Sequence, residues 1–358
     1  MSSTGVIMKR RTVSISIAFV LILFLVIKPA VFSAGEIRIV TGLDGRKIEI
    51  PSVPKRIACF YYPAYDKIVM LSKGSRIALM PEKASPWAYK FYPELKGIPT
   101  VSFNTIPDVE RLLKLKVDLV VYPKGHVNIE KVSQAGIAAV CPFNDRFVPS
   151  TLAEYTAEFR KQVLFFGEIL GPDARIRAEK YCKYLDGITA RISAITSKIP
   201  EADKPKVYYG KMSDLYSTQG NNTIMRWYTE LAGGVYLPKQ LRKYFAQVNM
   251  EKIIAWDPDI ILLGMIGSFD TPTNDPGLNI LRAGKSGKVY RIPAGIFYWD
   301  MTSCETALLP LFLGKKFHPA LFKDWDIIQE MQRFYTEIYG INLTKGDAQR
   351  IMNGLPPF

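Results

Sequence analysis

Two segments of this chain, 141 residues apart, repeat one pattern and constrain the fold more than any other feature. Residues 108–121 read DVERLLKLKVDLVV, and residues 249–262 read NMEKIIAWDPDIIL. Each segment opens on a good helix N-cap, Asp108 or Asn249, places a carboxylate in the first helical turn and runs through a short helix into a buried strand. The repeat predicts two similar lobes with a cleft between them.

The amino-terminal residues are predicted to serve export rather than folding. Lys9, Arg10 and Arg11 precede an apolar stretch over residues 13–27, and small residues follow it, which is the layout of a signal peptide. We expect residues 1–34 to be cleaved, leaving an exported mature protein. The alternative is an uncleaved membrane anchor, although the stretch is shorter than the roughly 20 apolar residues that a spanning helix needs.

The charge of the chain limits the classes of partner. The formal net charge is +14, and residues 1–34 hold four positive and no negative charges, so their removal leaves +10. Such a charge favours anionic partners. Nucleic acid is not expected among them, because no basic run is interleaved with aromatic residues and the chain is predicted to be exported.

Cysteine usage does not indicate a disulfide framework. Cys59, Cys141, Cys182 and Cys304 are scattered along the chain without a CxxC spacing. They are predicted to be buried free thiols, with pairing in an oxidising compartment as the alternative. No cysteine stands at the end of the apolar stretch, so lipid attachment of the bacterial lipoprotein kind is not expected.

Short apolar strands alternate with helices, which is typical of a parallel α/β sheet. After a hairpin over residues 37–50, the first lobe is predicted to have strands at 56–60, 76–80, 118–122 and 138–141 and helices at 64–72, 107–115 and 129–135. The second lobe is predicted to have strands at 206–210, 259–263 and 288–292 and helices at 223–232, 304–317, 326–339 and 344–353.

Between the lobes, residues 150–198 show no strand pattern. Apolar residues recur there at helical spacing, and Gly171-Pro172 interrupts them. We therefore predict two similar parallel-sheet, Rossmann-like lobes, residues 35–150 and 201–358, joined by a helical connector of residues 151–200.

The order of these motifs resembles one known family, the periplasmic solute-binding proteins of ABC importers for iron-siderophore complexes, haem and cobalamin. The resemblance rests on residues 43–46 (LDGR) with 54–57 (PKRI), on both Glu-helix-Asp-strand units and on the stretch 305–326, and it covers nearly the whole mature chain. It implies a monomeric binding protein that delivers a metal chelate to a permease dimer with its ATPase subunits. Contact with the inner membrane would be peripheral, through the permease, and no cofactor is expected.

In this family a carboxylate on each lobe docks with arginines of the permease. The matching positions are Glu110 and Glu251. The alternative is that each carboxylate interacts only with the dipole of its own helix, an effect of about 0.3 to 1 kcal/mol. Two carboxylates in symmetry-related places favour docking, because well-separated charges orient a two-lobed body on its partner.

The ligand should lie among the loops at the carboxyl ends of the strands, as in other open α/β sheets. The candidate ligand-binding residues are Tyr61, Tyr62, Trp87, Tyr122, Lys124 and Arg146 in the first lobe and Tyr209, Lys211, Met265, Tyr298 and Trp299 in the second. Aromatic faces suit a large or apolar chelate, and the cations neutralise its carboxylate or catecholate groups. His126 and Tyr298 are candidate metal ligands, with structural packing as the alternative for both.

The predicted cargo is a ferric siderophore or a related iron complex, with iron preferred over nickel or cobalt. Cobalamin, haem and a nickel chelate are alternatives on the same scaffold. An exported enzyme is the alternative of another class, but the chain has only two histidines and no HExxH, GxSxG or P-loop motif. Because a helical connector is stiff, we expect only a small closure of the lobes on binding.

Overall fold

The computed structural model describes Met1 and residues 36–357, apart from residue 73 and residues 102–107, 124–128, 145–147, 212–214 and 265–274. The predicted signal peptide, except for Met1, lies outside this part of the chain. Residues 34–358 group into one compact unit. No helix in the described ranges is long and apolar enough to span a bilayer.

The first lobe follows an antiparallel hairpin and is built on a parallel sheet. Its elements are β1 (Ile37–Thr41), β2 (Lys47–Pro51), β3 (Ile57–Cys59), α1 (Ala64–Ser72), β4 (Ile77–Leu79), α2 (Pro86–Phe91), α3 (Val109–Lys114), β5 (Leu119–Val121), α4 (Ile129–Gln134) and β6 (Ala138–Val140). The sheet has the order β4-β3-β5-β6. Only α2 was not predicted among these helices and strands.

Both faces of this sheet are buried, because alternate side chains of a strand point to opposite sides. Ile57 and Cys59 join the hydrophobic cluster that contains α1. Ala58, between them, packs in a second cluster with Leu112 of α3 and Val132 of α4. Helices thus cover the sheet on both sides, which explains why its strands are apolar throughout rather than alternating with polar residues.

Two long helices connect the lobes, α5 (Leu152–Leu170) and α6 (Pro172–Thr196). Gly171 separates them with a φ of 105°, a conformation that residues with a Cβ rarely adopt, and Pro172 opens α6. The helices pack closely: a Cβ on Gly167 would lie 2.6 Å from the Cβ of Ala178. The predicted connector, with its break at Gly171-Pro172, is confirmed.

The second lobe repeats the sheet of the first. Its elements are β7 (Lys206–Lys211), β8 (Ser217–Gln219), α7 (Ile224–Leu231), β9 (Val235–Tyr236), β10 (Phe245–Gln247), α8 (Met250–Trp256), β11 (Ile260–Gly264), α9 (Arg282–Lys285) and β12 (Val289–Arg291). The parallel sheet has the order β9-β7-β11-β12. In each lobe the first strand is internal, the second lies beside it at one edge, and the third and fourth extend the other side. The predicted duplication is confirmed.

A small antiparallel pair in the second lobe, β8 with β10, was not predicted. Phe245 pairs with Gln219, and Gln247 pairs with Ser217. The pair follows β7 at the carboxyl edge of the sheet, so it adds a surface to the side of the lobe where parallel α/β sheets bind ligands.

The chain ends with α10 (Leu309–Phe317), α11 (Ile327–Phe334) and α12 (Lys345–Met352). The sequence assigned all three to the second lobe, but the last part of the chain also contacts the first lobe. The Tyr339 hydroxyl donates a hydrogen bond to Asp66 of α1 at 2.7 Å, and Lys90 Nζ lies 2.7 Å from Asp347 Oδ1.

Residues 293–304, which we call the crossover segment, also link the lobes. They leave β12 of the second lobe and lie against α1 of the first. The fully buried Lys67 ammonium donates to the Thr302 carbonyl at 2.8 Å, and the Cys304 backbone N–H donates to Asp66 at 2.7 Å. The crossover segment is therefore anchored to the first lobe by buried charged side chains.

Candidate functional site

The repeated helices each present one exposed carboxylate. Asp108 caps α3 by accepting a hydrogen bond from the Glu110 N–H at 3.0 Å, and Asn249 caps α8 by accepting one from the Lys252 N–H at 3.0 Å. A short turn joins each helix to the next strand, so the first helical turn lies towards the carboxyl edge of the sheet. Glu110 and Glu251 are both exposed there, and neither pairs with a cation among the described residues.

Tyr61 and Tyr62 follow β3 and are half-buried at the carboxyl edge of the first sheet. The Tyr61 ring packs edge-on against Phe143 with centroids 4.2 Å apart, and the Tyr62 ring packs against Phe297 at 4.8 Å. Burial raises the pKa of the Tyr62 phenol above its usual range, and the neighbouring Tyr298 raises it further. Both observations place Tyr62 beside the crossover segment as a neutral hydrogen-bonding group.

The crossover segment brings Tyr298 to the first lobe. The Tyr65 hydroxyl donates to the Ile296 carbonyl at 2.6 Å, and the buried Phe297 ring contacts the rings of both Tyr62 and Tyr65. Tyr298, next along the chain, is half-buried, and burial raises the pKa of its phenol. The sequence predicted Tyr62 and Tyr298 separately, and the structure brings them together.

On the second lobe, Lys211 ends β7 and lies at a pocket with a volume of about 580 Å³. The pocket is lined by Lys211, Ser217, Thr218, Leu241, Arg242, Lys243, Phe245, Ala246 and Gln247. We call it the basic pocket. Lys211 Nζ lies 3.5 Å from the centroid of the Phe245 ring, and partial burial lowers the pKa of this lysine, with Asp300 partly offsetting the shift.

Sequence reasoning identified only Lys211 in this pocket. The missed cations, Arg242 and Lys243, lie in the run RKYF at 242–245, in which two cations precede two aromatic residues. Phe245 is 52% exposed, an unusual position for a phenylalanine, and Tyr244 beside it is 50% exposed. That run was the signal available in the sequence, but nothing in it indicated that the loop would lie beside Lys211.

Four aromatic residues predicted for the cleft lie in the core instead: Trp87, Tyr122, Tyr209 and Trp299, each at most 4% exposed. The Trp87 indole N–H donates to the Leu355 carbonyl at 3.0 Å, and the Tyr209 hydroxyl donates to Asp300 at 2.8 Å. These four side chains therefore pack in the core and offer almost no surface to a ligand.

Lys124, His126, Arg146 and Met265 lie outside the described residues. Their assignment to the ligand site, and that of His126 to a metal, stay predictions. Among the residues that the structure describes, His, Cys, Asp and Glu side chains form no group of three that could hold a metal ion. All four cysteines are buried free thiols, and burial raises the pKa of Cys59 to about 12.

Comparison with known proteins relates this arrangement to a family. A family model described as periplasmic binding protein matches residues 57–295. The molybdate-binding protein MolA of Haemophilus influenzae is 24% identical over 337 residues, which cover 89% of this chain and 95% of that protein. The solved structure of MolA bound to molybdate aligns with a TM-score of 0.73 at 20% identity, covering 86% of this chain and 99% of MolA.

Two further solved structures share the fold. A periplasmic solute binding protein from Veillonella parvula aligns with a TM-score of 0.72 and 25% identity, covering 88% of this chain and 97% of the other. A complex of Helicobacter pylori CeuE with nickel and histidine aligns with a TM-score of 0.65 and 19% identity, covering 88% and 99%. The fold is thus shared with proteins whose structures contain different ligands, molybdate in MolA and nickel with histidine in CeuE.

Proposed function

Because this chain belongs to the periplasmic binding protein family, we propose that it captures a solute outside the cytoplasmic membrane and delivers it to the permease of an ABC importer. The observation that carries the proposal is the convergence at the carboxyl edges of the two sheets. Tyr62 and the crossover residue Tyr298 lie together on one side, and Lys211 with its basic pocket lies on the other. Such a combination of aromatic and charged groups suits a ligand site.

The proposed solute is an anionic, metal-containing species. The phenol groups and aromatic rings of Tyr61, Tyr62 and Tyr298 suit the ferric siderophore expected from the sequence, because they offer flat surfaces and hydrogen bonds to a large chelate. The similarity to a molybdate-binding protein makes an oxyanion the second candidate, and the cations of the basic pocket favour it. Cobalamin, haem and a nickel chelate remain alternatives within the same function.

The proposed partner is a permease dimer with its ATPase subunits, reached from the periplasm. Glu110 and Glu251 support this part of the proposal, because both are exposed, unpaired with described cations and equivalent in the two lobes. Replacing both by glutamine should abolish co-purification with the permease complex while leaving solute binding unchanged. A double variant that still co-purifies would contradict docking through these residues.

Intrinsic tryptophan fluorescence of the purified protein tests the proposed function. The solutes to titrate are a ferric siderophore, molybdate, haem, cobalamin and nickel–histidine, because the buried Trp299 adjoins Tyr298 and should report on the cleft. We expect saturable quenching by one solute, weakened about tenfold or more in Tyr298→Ala. Tyr290→Ala, which changes another half-buried tyrosine on the edge strand β12, is the matched control. No response to any solute would contradict the proposed function.

A further inference from the structure

The basic pocket brings three cations of the second lobe to one surface. Lys211, Arg242 and Lys243 all line it, and none of the described residues lining it is acidic. Elsewhere in the lobe some cations are paired with carboxylates: Arg226 Nε lies 3.1 Å from Glu230 Oε1, and Arg282 contacts Asp257 at 2.9 Å. The lining thus holds three cations and no acidic residue, and the Asp300 carboxylate, which does not line the pocket, interacts electrostatically with Lys211.

The side chains of Arg242 and Lys243 are available to a ligand. Both are exposed, and within the described part of the chain neither forms a hydrogen bond, an ion pair or a ring contact. Lys211 contacts the Phe245 ring and is half-buried. Bringing three like charges to one pocket costs electrostatic free energy, which a bound anion would offset.

The loop that carries Arg242 and Lys243 is held in place by backbone contacts. The Gly220 N–H donates to the Tyr244 carbonyl at 3.1 Å, and the Asn221 N–H donates to the Leu241 carbonyl at 2.8 Å. These bonds tie both ends of residues 241–244 to the turn after β8. The two cations thus lie on a positioned loop beside Lys211, which limits the cost of ordering them on binding.

The lining also indicates the kind of anion. An arginine fork and two ammonium groups match a group with several charged oxygen atoms, and the fork can bind two of them at once. The ring of Phe245 and the side chain of Leu241 add apolar surface to the same pocket. With a volume of about 580 Å³, the pocket is within the range of sites for small molecules.

We propose that the basic pocket is an anion subsite in which Lys211, Arg242 and Lys243 bind an oxygen-rich, multiply charged group of the solute. The inference rests on the proposed function. It specifies the class of ligand group and adds Arg242 and Lys243 to the residues that bind the solute. The group is either a free inorganic oxyanion or an anionic arm of a metal chelate, since the two share the chemistry that these cations recognise.

Calorimetric titration of the full chain tests the subsite with molybdate, sulfate and a ferric tris-catecholate complex as probes. Arg242→Gln and Lys243→Gln should each weaken binding of the preferred probe about tenfold or more, as expected for a lost hydrogen bond between charged groups. Their combination should also reduce the salt dependence of the affinity. Lys239→Gln removes an exposed lysine of the same region that does not line the pocket, and it should bind like the wild type.

The probes separate the two sources of the anion. Binding of molybdate or sulfate alone assigns the pocket to an inorganic oxyanion, and binding of the ferric complex alone assigns it to an arm of a chelate. Equal losses in the pocket variants and in Lys239→Gln would overturn the subsite, because only the overall charge would then matter. Unchanged binding in the pocket variants overturns the subsite and leaves the proposed function intact, whereas a wild type that binds no solute in the fluorescence panel overturns both.

Discussion

One aspartate in each lobe accepts hydrogen bonds from the backbone at the start of the neighbouring strand. Asp118, at the start of β5, accepts hydrogen bonds from the backbone N–H groups of Lys55 at 2.7 Å and Arg56 at 3.0 Å. Asp259, at the start of β11, accepts one from the Lys206 N–H at 2.8 Å. Each carboxylate therefore satisfies donors where the neighbouring strand begins, which explains why the repeated segment contains an aspartate at this place in both lobes.

A buried glutamate makes stability depend on pH at the residue scale. Glu305 has no exposed surface and accepts hydrogen bonds from the Tyr335 hydroxyl and from the Phe297 N–H. Burial raises the pKa of Glu305 to about 8, and the nearby Asp66 carboxylate adds to the shift. The folded protein thus retains a proton that the unfolded chain releases near the ordinary glutamate pKa of about 4.5.

Between about pH 4.5 and 8, the free energy of unfolding should fall as the pH rises, because the folded state binds more protons than the unfolded state. The effect is on the order of a few kcal/mol, since one pKa unit corresponds to about 1.4 kcal/mol. We expect Glu305→Gln to flatten the profile of thermal midpoint against pH and to be more stable than the wild type at pH 8. The exposed Glu337→Gln is the control, and a profile unchanged by Glu305→Gln would contradict the assignment.

At the scale of elements, Gly220, which follows β8, allows the loop of residues 241–244 before β10 to pack closely against it. A Cβ on Gly220 would lie 2.3 Å from the Lys243 carbonyl oxygen and 2.4 Å from that of Leu241. Both neighbours are backbone atoms, so a side chain here must move the loop that carries the cations of the basic pocket. The close approach, rather than an unusual backbone angle, is what requires glycine.

Gly220→Ala should destabilise the protein by about 1–3 kcal/mol, the usual cost of overpacking, and should weaken anion binding without removing a charge. Denaturant unfolding and the calorimetric titration measure the two effects. Gly187→Ala in the interior of α6 is the matched control, because no atom beyond its own helix lies within 4 Å of the new Cβ. It should add up to about 1 kcal/mol of stability. Wild-type binding in Gly220→Ala would show that the loop position does not determine the subsite.

At the scale of the whole molecule, more than the connector joins the lobes. The crossover segment is anchored to α1 through Lys67 and Asp66, and the last part of the chain reaches the first lobe through Tyr339 and Asp347. These contacts are buried or partly buried hydrogen bonds, which are costly to break without replacement. A large rotation of one lobe against the other would have to break them.

We therefore expect a small closure when solute binds. Small-angle scattering profiles of the protein with and without a saturating solute should nearly superimpose, because the connector and the crossover segment both resist rotation. Lys67→Met, which removes the Thr302 hydrogen bond but keeps an apolar side chain of similar length, should permit a larger change. A strong compaction of the wild type would contradict this expectation.

The sequence alone was sufficient to predict the structural features that depend on local patterns. The two copies of the Glu-helix-Asp-strand unit, the helix from Ala64 to Ser72 and the break at Gly171-Pro172 all follow from spacing and residue type within a few positions, and the structure has each of them. Only the tertiary structure decided that Trp87 and Trp299 are core residues, that Arg242 and Lys243 lie beside Lys211 and that the chain returns to the first lobe after α10. An aromatic or charged residue after a strand can face solvent or the interior, and that choice depends on which distant segment packs against it, a property that no local pattern records.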